Sequence, residues 1–233
     1  MSAPSVSVIM PVYNGAPFVS DAINSIMSQT LDDLEMIIID DGSTDGTWNI
    51  INDAGRQDSR IRCFRQSRIG LTASLNRALT YTTGPLIARQ DADDISLGSR
   101  LEKQSAALKN GGFDLISTRA YQDSNNRVTP RLSYYCPTRL SVFFMNPFIH
   151  GTFMFTRRLV STVRGYDETF RYAQDYKLIY DAYTAKARIG FLKEPLYVLK
   201  SSKNSVSATH RDEQAHLSRA VRALFWGSLI KSQ

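Results

Sequence analysis

Two cysteines in 233 residues, Cys63 and Cys136, are too few for a disulfide framework, and their spacing matches no metal site. That usage fits a reducing compartment. The three histidines, His150, His210 and His216, are equally dispersed and form no zinc motif. No run of 18 apolar residues occurs, and the chain opens without a charged-then-apolar leader. A cytoplasmic protein is expected, at most peripheral to the inner face of a membrane. Lys and Arg outnumber Asp and Glu by 28 to 22, yet the basic residues are scattered rather than blocked. This argues against a nucleic-acid partner and fits a phosphate-bearing substrate or an anionic surface. The glycine patterns that hold phosphates are missing too. Neither G-x-G-x-x-G nor G-x-x-x-x-G-K-[ST] is present, and the first apolar run ends in "PVYNGAP".

What is present is a regular alternation. "SVSVIM" (5–10), "LEMIII" (34–39), "IRCFR" (61–65) and "PLIARQ" (85–90) read as buried strands. Helical patterns over 17–29, 43–55, 71–82 and 97–109 separate or follow them, the last ending at Gly111 and Gly112. Such spacing predicts an α/β fold with a central, mostly parallel sheet flanked by helices. The second half is more mixed: strands over 113–121 and 151–157, a helix over 175–187, and short strands at "RIGFL" and "PLYVLK". One domain over 1–209 is expected, followed by a basic amphipathic helix over 210–233. In that helix Leu217, Val221, Leu224 and Phe225 share a face, with Arg211, Arg219 and Arg222 off it. Packing against the body is its expected role, and contact with a membrane the alternative.

Open parallel sheets bind ligands beyond the carboxyl ends of their strands. Here those ends carry "PVYNG", "DDGSTDG" and "DADD". The second of these imitates an EF-hand loop, but its twelfth position is Asn52 rather than Glu. Three carboxylates, Asp91, Asp93 and Asp94, crowd into four positions at the third tip. They can hold a phosphate only through a divalent cation, and Mg²⁺ or Mn²⁺ takes one or two carboxylates with phosphate oxygens completing its shell. In Asp91-Ala92-Asp93 one carboxylate can face the metal and the other the sugar or ribose. Asp40 and Asp94 read as braces of their loops.

Taken together, "VSVIMPVYNG", "SIMSQTLDDLEMIIIDDGSTDGT", "GLTASLNRAL", "ARQDADDISLGSRLEKQ", "NPFIHGTFMF" and "GYDETFRYAQDYKL" resemble the family 2 inverting glycosyltransferases of the GT-A fold. The resemblance runs from about residue 5 to 209. It implies a nucleotide-sugar half over about 1–96 and an acceptor half over about 97–209. It further implies a nucleotide-diphosphate sugar donor with UDP favoured, a D-x-D-bound Mn²⁺ or Mg²⁺, and transfer of one sugar with inversion to a glycan or lipid-linked glycan. By position, Pro11, Tyr13 and Asp41 would line the nucleotide base, Arg77 would lie near the diphosphate, Asp91 near the ribose or sugar, and Asp93 on the metal. Asp175 falls where the family has its general base, and a helix N-terminus there is expected to lower its pKa. Gln174 and His150 are acceptor-side candidates, His150 equally a buried histidine bonded to backbone.

Two departures stand out. Gln174 replaces a frequent Glu, and Arg68-Ile69-Gly70 replaces a frequent Asn-Leu-Gly. A catalytically silent nucleotide-sugar-binding scaffold is the alternative that Gln174 keeps open. A sugar-nucleotide pyrophosphorylase would need a basic, glycine-rich first loop, and "PVYNGAP" contains no Lys or Arg.

Overall fold

A computed structural model describes residues 3–131, 141–200 and 211–231. Cys136, His210 and the expected domain boundary at 209/210 lie outside the described residues. Four strands form a parallel block: β1 (Val6–Val12), β2 (Leu34–Asp40), β3 (Ile61–Arg65) and β4 (Leu86–Arg89). Helices α1 (Val19–Met27), α2 (Thr47–Gln57) and α3 (Leu71–Tyr81) connect them. Successive side chains of a strand point to opposite faces, and both faces are apolar. Val8, Met10, Met36 and Ile38 join one core with α1, while Ile9, Ile37 and Ile39 join the other with α3. The central strands are buried on both sides, which explains their unbroken apolar runs.

Beyond β4 the sheet changes direction. Five more strands are β5 (Ile95–Ser96), β6 (Leu115–Gln122), β7 (Arg127–Thr129), β8 (Met154–Thr156) and β9 (Ile189–Leu199), and among the described residues the nine run in the order β3-β2-β1-β4-β8-β6-β9-β5, with β7 paired to β6. Strand β8 (Met154–Thr156) runs antiparallel to both β4 and β6 (Leu115–Gln122). Its amino end therefore lies at the carboxyl end of β4, and the segment leading into it arrives beside the acidic tip. Strand β5 (Ile95–Ser96) pairs antiparallel with β9 (Ile189–Leu199), closing the far edge over the same tip. Helix α4 (Arg100–Gly111) follows β5 and ends at Gly112, whose φ of 62° is the left-handed conformation that glycine adopts freely.

Several expectations are corrected. The two short strands expected over 188–200 are one strand, β9, whose register against β6 shifts around Pro195. Proline cannot donate to a ladder, so a bulge accommodates it. The strand expected over 151–157 is reduced to 154–156. A 3-10 turn, His150–Thr152, precedes it, and helix α5 (Arg157–Val163) follows, its amide at Leu159 bonded to the Thr156 hydroxyl. Strands β5 and β7 were too short to leave a periodic signal.

Helix α6 (Gln174–Thr184) and the terminal helix α7 (Arg211–Lys231) cover one face. Val221 and Phe225 are fully buried, and Phe225 packs on Tyr176, Tyr180 and Tyr183. The apolar stripe of α7 is therefore consumed by the body, while Leu224 stays partly exposed. Among the described residues no helix is long and apolar enough to cross a membrane.

Candidate functional site

The first two tips are sewn together. Asn14, in a left-handed conformation, receives the Thr44 amide on its side chain and donates its own amide to the Ser43 hydroxyl. Asp40 braces its loop as expected, accepting the Ser43 amide and pairing with Arg65 at 3.1 Å. Pro11 is buried within β1, where its missing N–H costs no ladder bond because pairing to β4 stops at Ile9. Tyr13 stands exposed at the rim, and the Arg68 guanidinium lies 3.9 Å from the centre of its ring.

Asp41 is buried beneath this pair and already accepts three bonds. The Ile69 amide and Gln66 Nε2 reach Oδ1, and the Gly70 amide reaches Oδ2, each at 2.8 Å. Its carboxylate thus holds the 66–70 loop in place, with Gly70 at φ 94°. Gln66 relays onward to Arg77 Nη1 at 2.9 Å, so Arg77 on α3 is one side chain removed from Asp41.

The acidic tip rests on two buried arginines that sequence reasoning passed over. Arg89 Nη2 pairs with Asp91 Oδ1 at 2.6 Å, and its Nη1 donates to the Gln90 carbonyl. Burial opposes the charge of Arg89, but the Asp91 carboxylate outweighs it and raises the pKa. Arg100 donates to the carbonyls of Arg89 and Gly151. Burial lowers its pKa to about 10, which leaves it charged near neutrality. The signal was an arginine ending an otherwise apolar strand immediately before the carboxylates.

Gly151 presses against the tip closely enough that a Cβ would overlap Asp91 Oδ2 and the Tyr197 hydroxyl. That hydroxyl accepts the Asp91 amide, and Asp94 accepts the Lys200 amide, so β9 pins the tip from the far side. Burial and then the charges of Asp91 and Asp93 push the Asp94 carboxyl up to about 8. Asp94 is a brace. Burial, followed by Asp91, also raises Asp93. Like charges held together in a partly desolvated place would be relieved by a cation. Among the described residues no three His, Cys, Asp or Glu side chains converge as a ready-made metal cage. A Mg²⁺- or Mn²⁺-type ion needs only one or two carboxylates, and Asp91 and Asp93 are the ones present at this tip.

On the other side, Asp175 opens α6 and accepts Asn146 Nδ2 on Oδ2 at 2.6 Å. Burial raises its pKa to about 6; Asp91 adds to the rise and Arg89 opposes it. The expected lowering is overturned, because desolvation outweighs the N–H groups of the helix start. Asp91 and Arg89 both act on the Asp175 carboxyl electrostatically, in opposite senses. Gln174 is buried, and its Oε1 finds no hydrogen-bond partner among the described residues. His150 bonds through Nε2 to the Tyr166 hydroxyl at 3.1 Å, a side-chain rather than a backbone partner. Burial and then Arg89 lower its pKa well below the usual value, so its imidazole is neutral.

Comparison with known proteins bears on the family and the fold. The sequence model described as "Glycosyl transferase family 2" matches residues 7–171. The O-antigen biosynthesis glycosyltransferase WbnJ of Escherichia coli is 31% identical over 179 residues, 74% of this chain and 69% of that protein. The fold is similar to that of S. aureus TarS 1–349 in complex with UDP-GlcNAc, with a TM-score of 0.76 at 20% identity, covering 94% of this chain and 66% of that one. It is also similar to that of the mannosyltransferase PcManGT from Pyrobaculum calidifontis in complex with GDP-Man and Mn²⁺. There the TM-score is 0.71 at 22% identity, over 99% and 65% of the two chains. The chain spans 63% and 61% of the length of two Bacillus subtilis glycosyltransferase relatives. With the GT-A architecture and the family model over most of its length, the chain belongs to glycosyl transferase family 2.

Proposed function

We propose that the protein moves one sugar from a nucleotide-diphosphate sugar to an acceptor hydroxyl, with inversion, in surface polysaccharide or glycolipid assembly on the cytoplasmic side of a membrane. The observation that carries this reading is the buried carboxylate of Asp175 at the start of α6, which Asn146 orients at 2.6 Å and whose pKa of about 6 suits a general base. A single displacement needs a base on the acceptor side and charge stabilisation on the leaving-group side. Asp175 would take the hydroxyl proton through the carboxylate oxygens that Asn146 orients, and the unpartnered Gln174 Oε1 would accept a hydrogen bond from the acceptor.

On the donor side, Pro11, Tyr13 and Asp41 would line the base, and Arg77 would lie near the diphosphate. A Mn²⁺ or Mg²⁺ ion bound through Asp93 would neutralise charge on the departing nucleotide diphosphate. Asp91, held by Arg89, would face the ribose or sugar. UDP is favoured because an imide N–H suits the remaining lone pair of Asp41 Oδ2, and the structural neighbour holding UDP-GlcNAc is consistent with it. A thermal-shift screen of nucleotide sugars with Mn²⁺ tests the donor, since a ligand that binds only the native state raises the melting temperature. Binding without release of free sugar or nucleotide, with every acceptor offered, would identify a silent scaffold instead.

A further inference from the structure

Val221 and Phe225 of the α7 stripe are buried and Leu224 is 37% exposed, so a contact of this region with a surface needs other residues as well. Three large apolar side chains remain exposed together: Phe144 (59%), Met145 (52%) and Trp226 (45%). The rings of Phe144 and Trp226 meet edge to face at 5.7 Å. Trp226 Nε1 already donates to the Phe143 carbonyl at 3.1 Å, so the part of the indole left to solvent has no polar need unmet. Arg222 Nη1 clamps the Phe144 carbonyl at 3.1 Å, and Arg219, one turn earlier on the same flank, is exposed. No acidic residue occurs from Ala215 to Ser228, nor from Ser141 to Asn146.

We propose that this tip docks on an anionic lipid surface. Aromatic and thioether side chains beside two arginines, Arg219 and Arg222, suit the headgroup boundary, where rings settle among acyl chains and cations meet phosphates. A second copy of the chain suits it less. A two-fold contact would set the same arginines against one another, and three side chains fall far short of the about 20 residues a side that a stable protein interface uses. The tip is one residue from Asn146, the partner of Asp175. Docking there would hold the base against hydroxyls presented at a bilayer. The acceptor class so named, a lipid-linked glycan, rests on the transferase reading; the docking itself does not.

The test uses the full chain with vesicles of phosphatidylcholine, with and without phosphatidylglycerol. Trp226 emission is followed in a Trp48→Phe background. The proposal expects sedimentation with anionic vesicles, a blue shift and quenching by brominated lipid. Phe144→Ser with Met145→Ser should abolish the shift while UDP-induced thermal stabilisation persists. Arg219→Glu should weaken binding at least about fivefold. Failure to bind either vesicle, or binding that the double variant leaves intact, overturns the proposal. A concentration-dependent dimer lost in the double variant, without vesicle binding, assigns the tip to a second copy. Transfer to a soluble acceptor despite absent vesicle binding would leave the transferase reading standing alone.

Discussion

Asn146 Nδ2 and Asp175 Oδ2 lie 2.6 Å apart, joining the segment that enters β8 to the first turn of α6. The contact orients the carboxylate that is proposed to take the substrate proton. Asp175→Asn keeps shape and the Asn146 bond but removes the proton acceptor. It should lower kcat by at least about 10²-fold with donor affinity within a few-fold of wild type. Normal turnover would rule Asp175 out as the base, and Glu168 would be tested next.

The pKa of about 6 sets a pH dependence in both activity and stability. As a base, Asp175 must be ionised, so kcat should rise with pH along a limb centred near 6. For stability the sign is opposite to that of a salt-bridged carboxylate. The folded chain holds this proton more tightly than the unfolded chain, whose Asp titrates near 3.8. Stability contributed by the site is therefore present below about pH 4 and lost as pH rises through 6. At pH 7 Asp175→Asn should melt several degrees above wild type, a stabilisation of at most about 3 kcal/mol. At pH 4 the two should melt together. A lower melting temperature at pH 7 would contradict the assignment.

Asp93 is predicted to carry the metal. EDTA should abolish transfer, with recovery on adding Mn²⁺. Asp93→Ala should remove the Mn²⁺ dependence of nucleotide-sugar binding measured by calorimetry. Undiminished transfer in excess chelator would exclude this role.

Arg89 is fully buried against Asp91, whose side chain is 30% exposed. Removing one partner of a buried pair costs about 3–5 kcal/mol, and the exposure of Asp91 reduces this to about 2. Arg89→Met should thus lower the melting temperature by about 4–8 °C. An unchanged melting curve would mean that the pair contributes nothing.

Asp41→Asn places an amide where backbone N–H groups of Ile69 or Gly70 donate. Loss of such a bond costs about 1–3 kcal/mol. The 66–70 loop should loosen, and UDP affinity should fall on the order of tenfold. Retained affinity would assign Asp41 to loop closure alone.

The donor half was legible because each of its features is local. Strands β1 to β4 are unbroken apolar runs, and their tips concentrate polar residues within a few positions. The acceptor half was less so, because its elements are defined by distant partners. Strand β5 is two residues that exist only against Val198 and Tyr197, and β9 continues through Pro195 only because β6 tolerates a bulge. Asp175 was found by resemblance. Its pKa was misjudged, since burial is a property of the packed chain while the helix N-terminus is visible locally. Asn146 and Gly151 lie within the stretch "NPFIHGTFMF" that carries part of the resemblance, but nothing local assigns either a role, and Tyr197 carries no signal of its own.

The antiparallel insertion of β8 has a consequence for how the protein can be divided. Asp91 is bonded through its amide to Tyr197, Asp94 to the amide of Lys200, and the carbonyl of Gly151 anchors Arg100. Residues 1–96 contain all three polar tips yet none of these clasps. A chain severed after the acidic tip would retain the motif and lose the walls that crowd its carboxylates. The two pieces would regain the site by reassociating along the β4–β8 and β5–β9 seams, which makes those seams the natural place to engineer a split, self-assembling version of the protein.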